Sequence, residues 1–562
     1  QDVSLHWRKR DWLLMLGVTL VYAVVALTNL GSMKAPQNPW VSSTRNEQVI
    51  IDLGEHHDDV TMLYFCQVSY SNFSVAVSED GENWSDDYIA DMAEGECFQW
   101  KYLTPSYMGK DKYGNYQRFF YSQPIKFSAR YVRITSQQIG LKMNEVIFHD
   151  TNGDRIPATV IAQLNVMEES TLYSDANNIF DEQDTLEGLP SWWNSTYFDE
   201  IYHARTAYEH LHGTAPYETS HPPLGKVIMS LGIAIFGMVP FGWRVMGALA
   251  GILMLPAMYL LGKQLTKKSS FAFAAALMLA LDCQHFTQTR IATIDSYPVL
   301  FILFSWLFML RFMQRDIVRL PVKKLLPDLA LSGLFMGLGI ASKWIGVYSG
   351  AGLAVAFFWT IFRHMRMAAT SAHLLKTDKS LSDEDRKILT LRDQTTMKRV
   401  LVICLWCLLF FVAIPLAIYL LAYIPYFAYA HFDNLKDYLT AVWNAQLSMF
   451  SYHSKPGLGM DHPFYSPWYE WIFNQRPMYY ASPTYVNTPG WSYAIWCFGN
   501  PAIWSAALVG FAYTVFMWAK RHRYTLRKDG ETLHWTATDW DVTMPFLLLS
   551  ALSQFLPWVL VP

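Results

Sequence analysis

The chain has 562 residues, 52% of them hydrophobic and 16% aromatic, with only 16% charged. Soluble globular chains carry about 25% charged residues, so the composition describes a bilayer-embedded body, with 22 Trp, 32 Tyr and 34 Phe suited to interfacial aromatic belts. A net charge of -3 gives no sign of nucleic-acid binding, and six cysteines are too few for a disulfide scaffold.

In chain order, the first apolar run, 12–31, follows Arg8, Lys9 and Arg10. It reads as an uncleaved anchor that starts in the cytoplasm. Residues 36–160 change character. "VIIDLGE" (49–55), "FSVAVSEDGENW" (73–84) and "ARYVRITS" (129–136) alternate apolar and polar residues between turn signals such as Asp80-Gly81, which is strand periodicity. An antiparallel β-sandwich is expected here. Its phrases resemble the discoidin-like, galactose-binding-like sandwiches, which implies sugar binding; a spacer or docking domain is the alternative. "DTNGD" (150–154) has calcium-loop spacing but lacks the distal Glu of a full loop. A plain turn is the simpler expectation there, a structural calcium ion the other. Cys66 and Cys97 share this polar segment and would pair outside the cytoplasm. Asn72, Asn83 and Asn194 are glycosylation sequons suited to an external face.

Eight further apolar stretches read as spans: 243–262, 270–286, 294–312, 327–344, 346–364, 400–422, 498–518 and 542–562. Cys404 and Cys407 lie inside one of them and read as packing residues rather than a metal pair. The run Leu224–Phe241 is ambiguous. If it crosses, the basic loops around Lys263–Lys268 and Arg311–Lys324 face outward. If it lies on the membrane surface, those loops face the cytoplasm, with the 363–399 loop and the Arg521, Arg523, Arg527, Lys528 cluster. The positive-inside rule selects the surface-lying or re-entrant arrangement. Polar segments 32–242, 287–293 and 428–495 then share the outer face. The domains expected are an anchor (1–35), the sandwich (36–160), a catalytic external loop with surface helices (161–242) and a multi-span domain (243–562) with external loop 428–495. The chain begins with Gln and stops inside an apolar run, so a missing piece at one or both ends is expected.

The chemistry concentrates in residues 197–226, "YFDEIYHARTAYEHLHGTAPYETSHPPLGK". Asp199 and Glu200 are adjacent acids beside the bilayer, where ionisable groups are costly and usually have a role. Burial would raise such a carboxyl toward the pKa of a general base. The alternative is an acidic pair at the start of a helix over 201–212. Histidines 203, 210, 212 and 221 with Glu209 and Glu218 offer metal ligands, Glu200 and His203 the best-spaced pair. No HExxH is present, and His210 and His212 cannot share a helix face, so no catalytic metal is expected. Arg244, Arg290 with Asp295, and Lys343 fall at outer turns, where converging cations would serve a phosphate leaving group.

These residues resemble the dolichyl-phosphate-mannose protein O-mannosyltransferase family and its bacterial relatives. The matching phrases run in family order: "FDE" (198–200), "HPPLGK" (221–226), "FGWR" (241–244), "QTRIATIDS" (288–296), "SKWIG" (342–346), "HPFYSPWYEWIFNQRPMYY" (462–480) and "GNPAIW" (499–504). The resemblance implies a polytopic α-helical membrane protein of GT-C glycosyltransferase type in the plasma membrane, with the antiparallel β-sandwich inserted on its extracytoplasmic side. It implies an inverting transfer of a sugar, mannose in the first instance, from a polyprenyl-phosphate donor to Ser or Thr hydroxyls of exported proteins, with no cofactor. Asp199 would deprotonate the acceptor, with Glu200 beside it. Arg244, Lys343 and Arg290 would serve the donor phosphate or position the acids. His221, Asp295, Trp468 and Arg476 are further substrate-binding candidates. The sandwich and the short 428–495 loop depart from the eukaryotic pattern, which leaves the sugar and acceptor open: a lipid or cell-wall glycan is the alternative acceptor, and dimerisation is open too. A sugar-binding receptor or a lipid-linked sugar transporter is the non-enzymatic alternative, although transporters show internal repeats and none is visible here.

Overall fold

The computed structural model describes residues 7–67, 72–90, 97–110, 116–120, 123–379, 381–455, 457–460, 464–481, 493–528 and 539–560. His462 and Pro463, which open the 462–480 phrase, lie outside the described residues, as do the side chains of the Arg521, Arg523, Arg527 and Lys528 cluster and the two ends of the chain.

Helix α1 (Lys9–Leu27) leads into a β unit of eleven short and long strands: β1 (Trp40–Val41), β2 (Gln48–Cys66), β3 (Phe73–Ser78), β4 (Tyr88–Ala90), β5 (Gln99–Tyr102), β6 (Ser106–Lys110), β7 (Tyr116–Phe120), β8 (Phe127–Ser136), β9 (Lys142–His149), β10 (Arg155–Ile156) and β11 (Thr159–Leu164). Every pairing is antiparallel, and the main order is β1-β9-β2-β8-β3-β4. Strand β2 serves two layers. Its first half pairs with β8 and β11, its second with β9 and β5. The register breaks between, near Gly54 and Asp59, both at positive φ. Alternating inward residues such as Val49, Ile51, Val132, Ile134 and Phe148 fill the core. Ala176 and Ile179 also enter that core, so the unit runs past the expected boundary at 160. Asp150 accepts the N–H groups of Asn152 and Asp154, closing the β9–β10 turn as an ordinary hairpin turn.

The helical body follows: α2 (Glu200–Leu211), α3 (Leu224–Phe236), α4 (Pro240–Thr266), α5 (Ser269–Ala280), α6 (Cys283–Arg290), α7 (Ser296–Met313), α8 (Leu326–Ser342), α9 (Ile345–Thr377), α10 (Asp383–Leu408), a π turn at Leu409–Ala413, and α11 (Ile414–Tyr426). Then come α12 (Leu435–His453), α13 (Trp468–Ile472), the hairpin β12 (Met478–Ala481) and β13 (Ile495–Cys497), α14 (Pro501–Lys528) and α15 (Asp539–Leu560). Among the described residues seven helices are long and apolar enough to cross a membrane, and three shorter apolar ones accompany them. The polytopic helical body with an inserted β domain is therefore as expected.

One detail corrects the sequence reading, and a second agrees with the surface-lying or re-entrant reading of the 224–241 run. The span expected at 270–286 stops at Ala280, because the Asp282 carboxylate accepts the His285 N–H and caps a separate helix, α6. The ambiguous run forms only the 13-residue α3, about 20 Å long, against roughly 30 Å of hydrocarbon. An ion pair and a hydrogen bond show which ends coincide. Asp11 at the start of α1 meets Lys263 at the end of α4 (2.8 Å), and Leu30 after α1 accepts from Arg244 at the start of α4 (3.1 Å). Helices α1 and α4 are thus antiparallel neighbours, and the β unit, α2 and α3 all lie at one end of the body.

Candidate active site

The loop before α2 turns on Phe198, a non-glycine residue at φ +49, and the adjacent acids part company. Glu200 is fully buried and locked to Arg244, which donates from Nε to Oε1 and from Nη2 to Oε2, both at 2.7 Å. The same carboxylate accepts the Ala292 N–H (2.9 Å) and the Trp243 indole N–H (3.3 Å). The remaining Arg244 donors go to the Leu30 and Ser195 carbonyls. Arg244 is therefore a clamp joining α1, the pre-α2 loop, α2 and α4. Of the two roles expected for it, positioning the acids is the one its contacts describe, and the donor phosphate is not. Glu200 is likewise unavailable as a metal partner for His203.

The Asp199 side chain makes no cap hydrogen bond to its helix. It faces a different set of charges. Burial pushes its carboxyl up to about 6, helped by the Asp295 and Glu218 carboxylates and opposed by the Lys343 ammonium. Lys343, ending α8, donates to Asp295 at the start of α7 (2.6 Å), and Gln288 Nε2 donates to the other Asp295 oxygen (3.4 Å). Asp199, Asp295 and Lys343 thus meet at one corner although 144 residues separate the first from the last.

A second layer stands behind. Lys226 on α3, with no exposed surface, donates to the Glu218 carboxylate, to the Glu218 carbonyl (2.9 Å) and to the His221 carbonyl (3.2 Å). Burial alone would raise Glu218, but Lys226 and the His221 hydrogen bond hold its carboxyl well below the usual range. His221 Nδ1 lies 3.1 Å from Glu218, His203 Nδ1 4.0 Å from it. Burial drives His203 down to about 3 and lowers His221 as well, so both are neutral imidazoles at physiological pH. His453 of α12 reaches the Ser220 carbonyl at 2.8 Å, tying the later loop to the "HPPLGK" segment.

Of the residues read from the sequence, the structure brings together Asp199, Asp295, Lys343 and His221. Arg290 donates to the Thr28 and Asn29 carbonyls and stacks its guanidinium over Phe286, at the end of α1. Trp468 packs edge-on against Phe555 of α15, and Arg476 pairs with Glu470 and donates to the Tyr465 carbonyl. Their contacts lie with α15 and within the 464–481 segment, not with the Asp199 cluster. Lys226, Gln288 and Tyr480 were missed as individual residues, although each sits in a phrase that carried the family resemblance. The group of acids able to close on an ion, among the described residues, is Glu145, Asp181 and Glu182 of the β unit, away from Asp199. Cys66 is a buried free thiol, and the buried Cys97 Sγ accepts from Arg205 Nη1 (3.7 Å). The pairing expected for them is not made.

Residues 235–435 match the family described as dolichyl-phosphate-mannose-protein mannosyltransferase. A polyprenol-phosphate-mannose–protein mannosyltransferase of Mycolicibacterium smegmatis is 24% identical over 416 residues, 66% of this chain and 72% of the relative. One of Mycobacterium tuberculosis is 25% identical over 407 residues, 64% and 73%. One of Corynebacterium glutamicum is 26% identical over 378 residues, 60% and 65%. Among solved structures, the Saccharomyces cerevisiae Pmt1-Pmt2 complex bound to the sugar donor aligns over 42% of this chain and 31% of that one at 18% identity and a TM-score of 0.32. ArnT from Cupriavidus metallidurans aligns over 64% and 71% at 13% identity and a TM-score of 0.26.

Proposed function

We propose that this chain, which carries a protein mannosyltransferase family domain, is an inverting GT-C transferase that moves mannose from a polyprenyl-phosphate carrier to Ser or Thr hydroxyls of proteins at the outer membrane face. The observation that carries the reading is Asp199, an uncapped, partly desolvated carboxylate pushed up to about 6 beside the Lys343–Asp295 pair. A base near operating pH combines the correct ionisation state with useful proton affinity.

In the step proposed, an acceptor hydroxyl gives its proton to Asp199. Its oxygen attacks the anomeric carbon from the face opposite the phosphate. The bond from that carbon to the phosphate oxygen breaks, and polyprenyl phosphate leaves with the electron pair. Charge then gathers on the phosphate, where the Lys343 ammonium opposes it. Asp295 holds that ammonium in place, and Arg290 stands toward α1 as a second cation. The Glu200–Arg244 clamp fixes the loop that presents Asp199. The Glu218–Lys226 pair keeps a second negative charge close to Asp199 and so sustains its basicity.

The test is transfer of labelled mannose from polyprenyl-phosphate mannose to Ser/Thr peptides by purified wild-type protein and Asp199→Asn. Wild-type transfer that the variant lacks, with an α-linked product from a β-linked donor, is expected. Equal turnover by Asp199→Asn removes the base from this role. Transfer to a glycan while every peptide is refused moves the acceptor to the glycan class.

A further inference from the structure

Helices α1 and α5 leave a groove of about 450 Å³ between them. Its wall on α1 runs from Leu13 to Val25, about 18 Å of helix. Phe286 of α6 joins the wall beside Tyr22, with ring centroids 6.3 Å apart. Every side chain lining the groove is apolar apart from the Tyr22 hydroxyl. It opens sideways, since Leu13, Val21, Val25 and Leu281 are each more than half exposed, and α1 is long and apolar enough to cross a membrane. A second cavity, of about 250 Å³, adjoins it at Phe286 and is lined by Arg290, Leu30, Trp192, Tyr197 and Tyr493 as well. Arg290 is anchored through Nη2 to the Thr28 and Asn29 carbonyls and lies 4.7 Å over the Phe286 ring. Its Nε and Nη1 have no hydrogen-bond partner among the described residues. Trp192, Tyr197 and Tyr493 also line a third cavity, of about 380 Å³, with Phe198, the neighbour of Asp199, in its wall. Phe198 packs on Tyr480 with ring centroids 4.5 Å apart. The Tyr480 hydroxyl donates to Gln288, which donates in turn to Asp295.

From this order of surfaces we infer that the α1–α5 groove holds the polyprenyl chain of the donor, which enters from the bilayer and turns at Phe286 so that its phosphate lies between Arg290 and the Asp199 corner. The inference rests on the transferase reading above and adds where the carrier lies. Charge and continuity select the occupant. An apolar groove by itself would suit any hydrocarbon chain. This one leads to a guanidinium with donors to spare, and such a fork matches phosphate oxygens. The cavities then continue to Phe198, where a bulk phospholipid has nothing to deliver. A ligand that is apolar along α1, anionic at Arg290 and directed to Asp199 is a polyprenyl-phosphate sugar. Gly17 lines the groove, and a Cβ there would meet nothing within 4 Å, so this position leaves space for the chain.

The experiment uses the full chain in phospholipid nanodiscs, a Ser/Thr peptide, and two donors, undecaprenyl-phosphate mannose and geranyl-phosphate mannose. Gly17 lies about 12 Å along α1 from Val25, beyond the end of a geranyl chain that starts at Arg290. Gly17→Leu fills the groove there and raises the KM of the undecaprenyl donor about tenfold relative to that of the geranyl donor. Arg290→Gln raises the KM of both donors by about tenfold or more, with no matching rise in peptide KM, and Arg290→Lys recovers part of the loss. An undecaprenyl-phosphate analogue bearing a diazirine on its chain labels α1 and α5, and excess phosphatidylglycerol does not compete. A ratio of the two donor KM values that stays at the wild-type level in Gly17→Leu overturns the inference while wild-type transfer keeps the transferase reading intact. Labelling that phosphatidylglycerol abolishes assigns the groove to bulk lipid and overturns it too. Wild-type protein that transfers mannose from neither donor is the distinct outcome that removes the transferase reading, and the inference with it.

Discussion

Replacing Arg244 by Met tests whether that residue holds the protein or the phosphate. Its guanidinium makes two 2.7 Å bonds to Glu200 and two more to main-chain carbonyls, with 1% of the residue exposed and none of Glu200. Removing it leaves a buried carboxylate without its counter-charge and the Leu30 and Ser195 carbonyls without this donor. Breaking a buried pair from one side costs about 3–5 kcal/mol, a large part of a typical stability of about 5–15 kcal/mol. Glu200→Gln alone leaves the opposite charge uncompensated and is expected to destabilise comparably. The double variant Glu200→Gln/Arg244→Met leaves no net charge behind, so its loss is smaller than the sum of the two, by a coupling of about 0.5–3 kcal/mol. The assay is thermal unfolding of the purified protein in detergent, followed by tryptophan fluorescence, alongside donor and peptide KM for whatever activity remains. Arg244→Met that melts like wild type but shows a strongly raised donor KM refutes the clamp and returns Arg244 to the donor phosphate.

Other outcomes follow from the same geometry. In the proposed step Asp199 acts unprotonated, and burial pushes its carboxyl up to about 6, so kcat/KM should fall on the acid side through pH 6, by about tenfold at pH 5; a rate that stays flat down to pH 5 excludes Asp199 as the base. Lys343→Met should lower transfer by about 100-fold or more and move the acid limb upward in any residual activity, since Lys343 is what lowers the Asp199 pKa; a limb that moves down contradicts the placement. Gly333 on α8 meets the Phe410 carbonyl of the π turn so closely that an added Cβ would overlap it. Gly333→Ala should therefore destabilise by about 1–3 kcal/mol without altering peptide KM, and a wild-type melting profile would show that the π turn gives way.

The spans were legible because apolar length alone announces them, and the strands because alternation of period two is hard to mistake over "ARYVRITS". What went astray was local. Asp282 lies in the middle of a run whose average composition reads as apolar, yet one carboxylate accepting one N–H ends α5 and starts α6. A window average cannot register a cap. The β unit overran residue 160 because Ala176 and Ile179 reach its core from a short 3₁₀ turn, too brief to leave any periodicity. Helix α12 was absent from the reading altogether. Its sequence mixes Lys436, Asp437, Asn444 and Gln446 with aromatics, and only Val442 and Met449 among its residues are buried, so its apolar face is narrow.

For the site, the sequence carried residue types and their order but not the pairing between distant residues. Asp199 and Glu200 are chemically near-equivalent neighbours, and nothing in "FDE" says which one is free. That is decided 44 residues on, where Arg244 takes Glu200, and 92 residues on, where the Ala292 N–H takes the same carboxylate. With Glu200 paired to Arg244, Asp199 is left partly buried with two acids and one ammonium around it, and burial first, then the excess of acids, raises its pKa. The same reasoning separates the cations. Arg244 and Lys343 look alike as charges at helix ends. Arg244 is spent on Glu200 and two main-chain carbonyls, whereas among the described residues the Lys343 ammonium has a single hydrogen-bond partner, the Asp295 carboxylate at 2.6 Å, and in the proposed step keeps donors for an incoming phosphate. A positively charged residue that the fold has fully satisfied is architecture. One left with donors to spare beside a desolvated carboxylate is where an anionic leaving group can be met.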